Sequence, residues 1–215
     1  MKYLDSEILY SDNHVLVAAK PLGLLTQSND SSDSSLEEVA KAWVKKEYHK
    51  PGNVFLHAVH RLDRQVSGLV LFARTSKALS RLNELQRNLE IQKVYLAEVE
   101  GQMPFKSGKL DHYLIHGNHK ALIAKKSDPD AKHARLSFEV IKHKEKTTLV
   151  QIELETGRYH QIRAQFSESG HPVVGDKKYG AKKGSNQSIH LHSYKLRFQH
   201  PTTKEILSFE TPAPF

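Results

Sequence analysis

Asp63 stands between Arg61 and Arg64 in the stretch HAVHRLDRQVSGLVLFA, His57 to Ala73, just ahead of a glycine-initiated apolar run. Flanking guanidinium groups favour the ionised form of a carboxylate, which suits a nucleophile or a base and not a general acid. A structural ion pair would leave the same signature in the sequence. A second cluster, LETGRYHQIRAQFSESGHPVVGDKKYG from Leu154 to Gly180, adds cationic and flexible chemistry. Gly157 permits a tight turn into a short helix in which Arg158, Gln161 and Gln165 alternate with apolar Ile162, Ala164 and Phe166. Arg163, next to Ile162, can point inward there as the partner of a buried carboxylate. The glycines, proline and lysines that follow suit a loop that approaches a sugar-phosphate backbone closely.

Other chemistries are excluded or disfavoured by residue type. The chain has no cysteine, so any nucleophile must be an oxygen or a nitrogen, and disulfides and cysteine-based zinc sites are ruled out together. His190 and His192 lie two apart on an expected strand and so share a face, but no third ligand stands at a fixed spacing, and no metal is expected. GAKKGS, Gly180 to Ser185, places its lysines before the second glycine, the reverse of a phosphate-binding P-loop.

These residues need elements to position them. Ser34 with Glu37 has the spacing of a capping box, and Leu36, Val39, Ala40, Trp43 and Val44 recur on one face, predicting a helix to about Tyr48 that KPGN then stops. A second helix is predicted from Ser76 to Leu89, with Leu79, Leu82, Leu85 and Leu89 as its apolar stripe. HVLVAAK, GLVLFAR, KVYLAEVEG, ARLSFEVI, TTLVQIELE, LHSYKLRF and EILSFE read as strands, being short, β-branched or aromatic, and bounded by turn residues or charge. SNDSSDSS, Ser28 to Ser35, reads as a polar loop. Many strands with few helices in no regular alternation predict an α+β fold.

At 215 residues with an ordinary apolar fraction, a single domain over 1–215 is expected. The N-terminus has carboxylates where a secretion signal is basic, and VLVAA is too short to span a bilayer, so a cytoplasmic protein without membrane association is expected. Residues 1–100 hold 13 Lys and Arg against 13 Asp and Glu, whereas residues 101–215 hold 19 against 11. The whole excess of +8 therefore lies in the second half. Such an imbalance fits a surface that meets a polyanion, and equally a merely solvated lysine-rich face.

The motifs together resemble the RluA-type pseudouridine synthases, enzymes that isomerise uridine in ribosomal or transfer RNA. The resemblance rests on His60-Arg61-Leu62-Asp63 followed by Ser67-Gly68 and an apolar strand. It continues through Gly157-Arg158, His160-Gln161-Ile162-Arg163, Gly170-His171-Pro172 and Gly175-Asp176. ILYSDNHVLVAAKPLGLLTQ, KVYLAEVEG and LHSYKLRFQHP extend it over nearly the whole chain in order. It implies a pseudouridine synthase fold: a mixed, mainly antiparallel sheet with flanking helices and a basic cleft. Many relatives carry an N-terminal S4-type RNA-binding module; here a stand-alone catalytic domain without one is expected, with no cofactor and no obligate protein partner. Carried over by position, it makes Asp63 the catalytic carboxylate and Arg163 its buried ion-pair partner. Tyr95 becomes the aromatic that stacks on the target uracil, Leu191 a wall of the base pocket, and Arg61 a contact to RNA near the flipped nucleotide. On the residues alone, Tyr95 and Leu191 are equally core side chains. Two positions depart from the commoner family pattern: Val66 replaces a threonine before Ser-Gly, and Tyr159 replaces a threonine or serine before the histidine. These bear on local hydrogen bonds and on substrate choice.

The implied chemistry is consistent with a single signature carboxylate, because ordinary glycoside hydrolysis uses two. Isomerisation detaches uracil at N1 and rejoins it through its own C5 to the same sugar, after the base has left its stack at a cost of a few kcal/mol. A lone ionised carboxylate can attack C1′ or remove a sugar proton. A non-catalytic RNA-binding protein on the same scaffold and a nucleoside hydrolase are the competing readings.

Overall fold

The computed structural model describes residues 7–28, 34–182, 184 and 188–215; positions 29–33 of the expected polar loop lie outside the described residues. The chain forms two compact units, one from residues 1–92 and 193–212, the other from residues 93–192 and 213–215.

The first unit contains strands β1 (Ile8–Ser11), β2 (Val15–Lys20), β3 (His57–Ala58) and β4 (Ser67–Ala73), with helices α1 (Leu36–Glu47) and α2 (Ser76–Arg87). The second opens with β5 (Gln92–Glu100), β6 (Ser107–His116), β7 (Ala121–Ala124), β8 (Lys132–His143) and β9 (Thr147–Leu154). Helix α3 (Gln161–Glu168) and a single turn of 3-10 helix at Lys177–Tyr179 follow. Strands β10 (Leu191–Gln199) and β11 (Ile206–Glu210) then complete the first unit. Both units rest on largely antiparallel sheet, ordered β1-β2-β4-β10-β11 in the first and β5-β9-β8-β6-β7 in the second. The α+β expectation is met.

Strand β4 is buried along its whole length, as a continuous apolar run requires. Val15, Val17, Leu69, Leu71 and Ala73 pack with Ala78 and Leu82 of α2 and with Leu196 and Phe198 of β10. By strand alternation Leu16, Ala18, Val70 and Phe72 point to the opposite face, and all are fully buried. In the second unit α3 lies on β6 and β7, where Leu114, Ala121, Ala134, Ala164 and Tyr179 form a smaller core.

Three local expectations are corrected. The capping box belongs to Ser35 and Glu38, one residue later than expected: Glu38 N–H donates to Ser35 Oγ at 3.3 Å and Ser35 N–H to Glu38 Oε2 at 3.0 Å. Glu37 instead turns inward, accepting from Gln27 at 2.8 Å and from the Ala58 N–H at 3.1 Å, and so ties α1 to β3. The stripe of α2 ends at Leu85, because the helix stops at Arg87 and Leu89 takes a left-handed φ of 62° with its side chain exposed. Strands β1, β3, β6 and β7 form in addition to the expected ones. In β6, SGKLDHYLIH, Lys109 and Asp111 interrupt the apolar pattern, and pairing with β8 from Ser107 to Leu114 supplies the order that propensity lacks.

Candidate active site

Asp63 sits half-buried in the turn between β3 and β4, with Arg61 and Arg64 exposed on either side. The turn is fastened through its backbone. The Asp63 carbonyl accepts from Val66 N–H at 3.0 Å. Just before it, Leu62 N–H donates to Thr26 Oγ1 at 3.0 Å, and that hydroxyl donates back to the Leu62 carbonyl at 2.9 Å. Just after it, Gly23 N–H donates to the Arg64 carbonyl at 2.9 Å, while Arg64 Nε donates to the Gly23 carbonyl at 2.9 Å. The segment Lys20–Thr26 is therefore a clasp that fixes where the aspartate turn leaves the sheet.

Gly68 has a φ of 114°, and a Cβ there would lie 2.3 Å from the Ser193 carbonyl oxygen. A glycine alone lets β4 begin this close to the backbone of β10. Val66 is 2 % exposed, so the position that departs from the family pattern is filled by an apolar side chain with no hydroxyl to satisfy.

Lys20, which the residue pattern did not single out, is buried against this turn. Its side chain is 1 % exposed, and its Nζ donates to the carbonyls of Leu24 at 2.8 Å, Pro21 at 3.0 Å and Arg64 at 3.3 Å. Burial pushes this ammonium down to about 8 from 10.5, and the charge of Asp63 acts in the opposite direction. The clasp thus holds a buried cation whose field reaches the carboxylate. The only signal in the sequence is a charged residue ending the apolar run VLVAAK.

The depressed value has a consequence for stability. Between the folded value near 8 and the ordinary 10.5, the unfolded chain binds a proton that the folded chain does not, so the Lys20 contribution to stability rises with pH through that window. Below it, both states are protonated and the full penalty of burying the charge is present. Denaturant melts should show wild type gaining about 2 kcal/mol relative to Lys20→Met between about pH 7.5 and about pH 9.5. Parallel pH dependences in the two proteins would mean that Lys20 titrates like an exposed lysine.

The remaining expected site residues belong to the second unit. Tyr95 is central in β5, opposite Ile152 of β9, and is 6 % exposed. Leu191, where β10 begins, is 4 % exposed. Arg163 projects from α3 and is 3 % exposed, with Nε donating to Asp176 Oδ2 at 2.6 Å and Nη2 to Oδ1 at 2.9 Å. The guanidinium carbon also lies 5.1 Å from the centre of the Tyr179 ring. A buried carboxylate does meet Arg163, as the inward reading required, and Asp176 supplies it. Asp176 is itself 1 % exposed, and its carbonyl accepts from Tyr179 and Ala181 N–H groups. The sequence carries one signal for it: Asp176 is the only carboxylate between Glu168 and Glu205, in a run rich in lysine. An acid placed so is a candidate internal partner.

The loop that carries Asp176 is pinned to β5. Val99 bridges Val173, Val174 N–H donates to the Glu98 carbonyl at 2.8 Å, and His171 Nδ1 lies 2.9 Å from the Glu100 carbonyl. Lys177 and Lys178 remain exposed beside it. His190, half of the histidine pair, meets Glu98 through Nδ1 at 3.0 Å, while His192 is buried. Burial opposes the charge on Glu98, but hydrogen bonds from Thr147, His190 and Lys144 outweigh it and bring the carboxyl to about 2. Among the described residues, no three His, Asp or Glu side chains gather as metal ligands would, and no helix is long and apolar enough to cross a membrane.

With the aspartate turn, its clasp and the Arg163 pair defined, the comparisons with known proteins converge. The sequence profile of the RNA pseudouridylate synthase family matches residues 14–168. The chain is 32 % identical over 216 residues to the uncharacterized RNA pseudouridine synthase YhcT of Bacillus subtilis, covering 99 % of this chain and 70 % of that protein. It is 33 % identical over 221 residues to the ribosomal large subunit pseudouridine synthase C of Pasteurella multocida, covering 97 % and 65 % respectively. Human RNA pseudouridylate synthase domain containing 4 superposes with a TM-score of 0.85 at 22 % identity, covering 99 % of this chain and 90 % of that one. The fold is that of the pseudouridine synthases. The chain belongs to the RNA pseudouridylate synthase family, of the RluA type, a family of isomerases. It spans about two thirds of the length of the relatives it matches, between 65 % and 72 % for four of them.

Proposed function

We propose that this protein isomerises specific uridines of ribosomal or transfer RNA to pseudouridine, with Asp63 as the catalytic carboxylate. The N1–C1′ bond breaks and a C5–C1′ bond forms, while C5 loses its hydrogen and N1 gains one, so no water or cofactor enters the balance. Tyr95 stacks on the target uracil, Leu191 walls its pocket, Arg61 contacts the RNA near the flipped nucleotide, and Arg163 positions the charged groups of the site.

The observation that carries the reading is the clasped turn. A carboxylate that must meet a sugar carbon or proton needs a fixed position more than it needs depth. Asp63 is half-buried on a turn whose flanking backbone is tied to Gly23, Lys20 and Thr26. A purely structural ion pair would not call for that fastening. The name of the Pasteurella multocida relative favours large-subunit ribosomal RNA as the substrate class. Pseudouridines should be mapped across total RNA from cells with and without the gene. One or more sites in ribosomal or transfer RNA should disappear and return with the wild-type gene; an unchanged map in both RNA classes would sink the assignment.

A further inference from the structure

Tyr159, where the family more often has threonine or serine, is part of a ladder of rings within the second unit. His116, at the end of β6, stacks on Tyr159 with ring centres 4.3 Å apart and planes at 29°. Tyr159 stacks in turn on His160 at 3.9 Å and 18°. The inner end is locked: His160 Nδ1 lies 3.0 Å from the Tyr179 hydroxyl, and that hydroxyl accepts from Ala121 N–H at 2.7 Å. The outer end is open to solvent. His116 is exposed although one of its faces lies on Tyr159, and Tyr159 itself is 40 % exposed.

Two lysines border the turn that follows His116. The turn after His116 is closed by Gly117 N–H donating to the Lys120 carbonyl at 2.9 Å, and Lys120 is exposed. Lys178 reaches the same turn, its Nζ donating to the His119 carbonyl at 2.9 Å. Parallel rings that end in an exposed face, next to a turn that carries exposed Lys120 and receives the Lys178 ammonium, match what single-stranded nucleic acid requires: a flat surface for a base and cations for its phosphates. A core packing role does not account for an exposed outer ring. The stack is held in place before any ligand arrives, which lowers the entropy cost of binding.

We propose that His116 and Tyr159 form a stacking platform for an unpaired nucleobase of the RNA other than the uridine that is isomerised, with Lys120 and Lys178 holding the adjoining phosphates. The proposal rests on the reading of the protein as an RNA pseudouridine synthase and adds a subsite particular to this sequence. It predicts base-dependent affinity that falls when the outer rings are removed.

The probes are an unstructured hexanucleotide RNA carrying one 2-aminopurine and a hexamer of the same phosphate backbone without bases. Wild type should quench the 2-aminopurine and bind the base-bearing RNA about tenfold more tightly than the abasic one. His116→Ala and Tyr159→Thr should lose most of the quenching and most of the preference for the base-bearing RNA, with unchanged salt dependence, whereas Tyr159→Phe should behave as wild type. Should Tyr159→Thr melt early, His116→Ala at the exposed strand end carries the test. Equal affinities in wild type, or full quenching by a folded His116→Ala, would overturn the platform. Pseudouridine formation by wild type, measured in parallel, separates the two ideas. Isomerisation without base discrimination removes the platform alone; discrimination without isomerisation leaves the platform and removes the catalytic assignment. Failure to bind either probe overturns the platform.

Discussion

Asp63→Asn is expected to abolish pseudouridine formation while leaving folding and RNA affinity nearly intact. The substitution keeps the shape of the side chain and removes the charge and the proton affinity that either route to C1′ or to a sugar proton demands. The turn should survive, because its fastening runs through the backbones of Leu62, Asp63 and Arg64 and through Thr26 and Lys20. Asp63 is also only half-buried, so an amide there meets no large burial cost. Tritium released from C5-labelled uridine RNA in a single turnover is the measurement. Wild-type release by the mutant would remove Asp63 from the reaction, and free uracil among the products of wild type would point to hydrolysis.

Arg163→Met should destabilise the protein by about 3 to 5 kcal/mol, because it strands a buried carboxylate without its cation. The stranded group is Asp176, which is 1 % exposed and receives two charge-assisted hydrogen bonds from Arg163. Asp176→Asn should be costly too, because the guanidinium, 3 % exposed, loses the carboxylate that takes two of its N–H groups. The double mutant should recover part of the loss, since neither buried charge is then left alone. Denaturant melts of the two single mutants and the double mutant give the coupling energy directly. Additive effects would mean that the pair contributes nothing as a pair. If Arg163 also positions the reacting groups, Arg163→Lys, which keeps the charge but loses the two-pronged geometry, should lower turnover more than stability.

The sequence by itself determined the parts that depend on neighbours along the chain. Alternating or continuous apolar runs marked β2, β4, β5 and β8 to β11. Leucines three or four apart marked α2, and serines before an acidic turn marked α1, because side-chain direction repeats with the local backbone period. The position of Asp63, on a polar turn just ahead of a buried strand, followed from the same logic.

Tertiary structure alone decided which of these parts meet. The continuous apolar run tells that β4 is buried on both faces but not that Ser193 lies against Gly68, nor that the segment after β2 closes over the aspartate turn through Lys20, Gly23 and Thr26. Arg163 was legible as inward-pointing because it sits among apolar helix residues. That Asp176 receives it depends on the loop being pinned to β5. The ladder of His116, Tyr159 and His160 joins a strand end to the start of a helix, two places with no shared period. Local patterns record the average environment of a residue, whereas a specific partner is fixed by strand order and loop path. Those arise from the simultaneous packing of the whole chain.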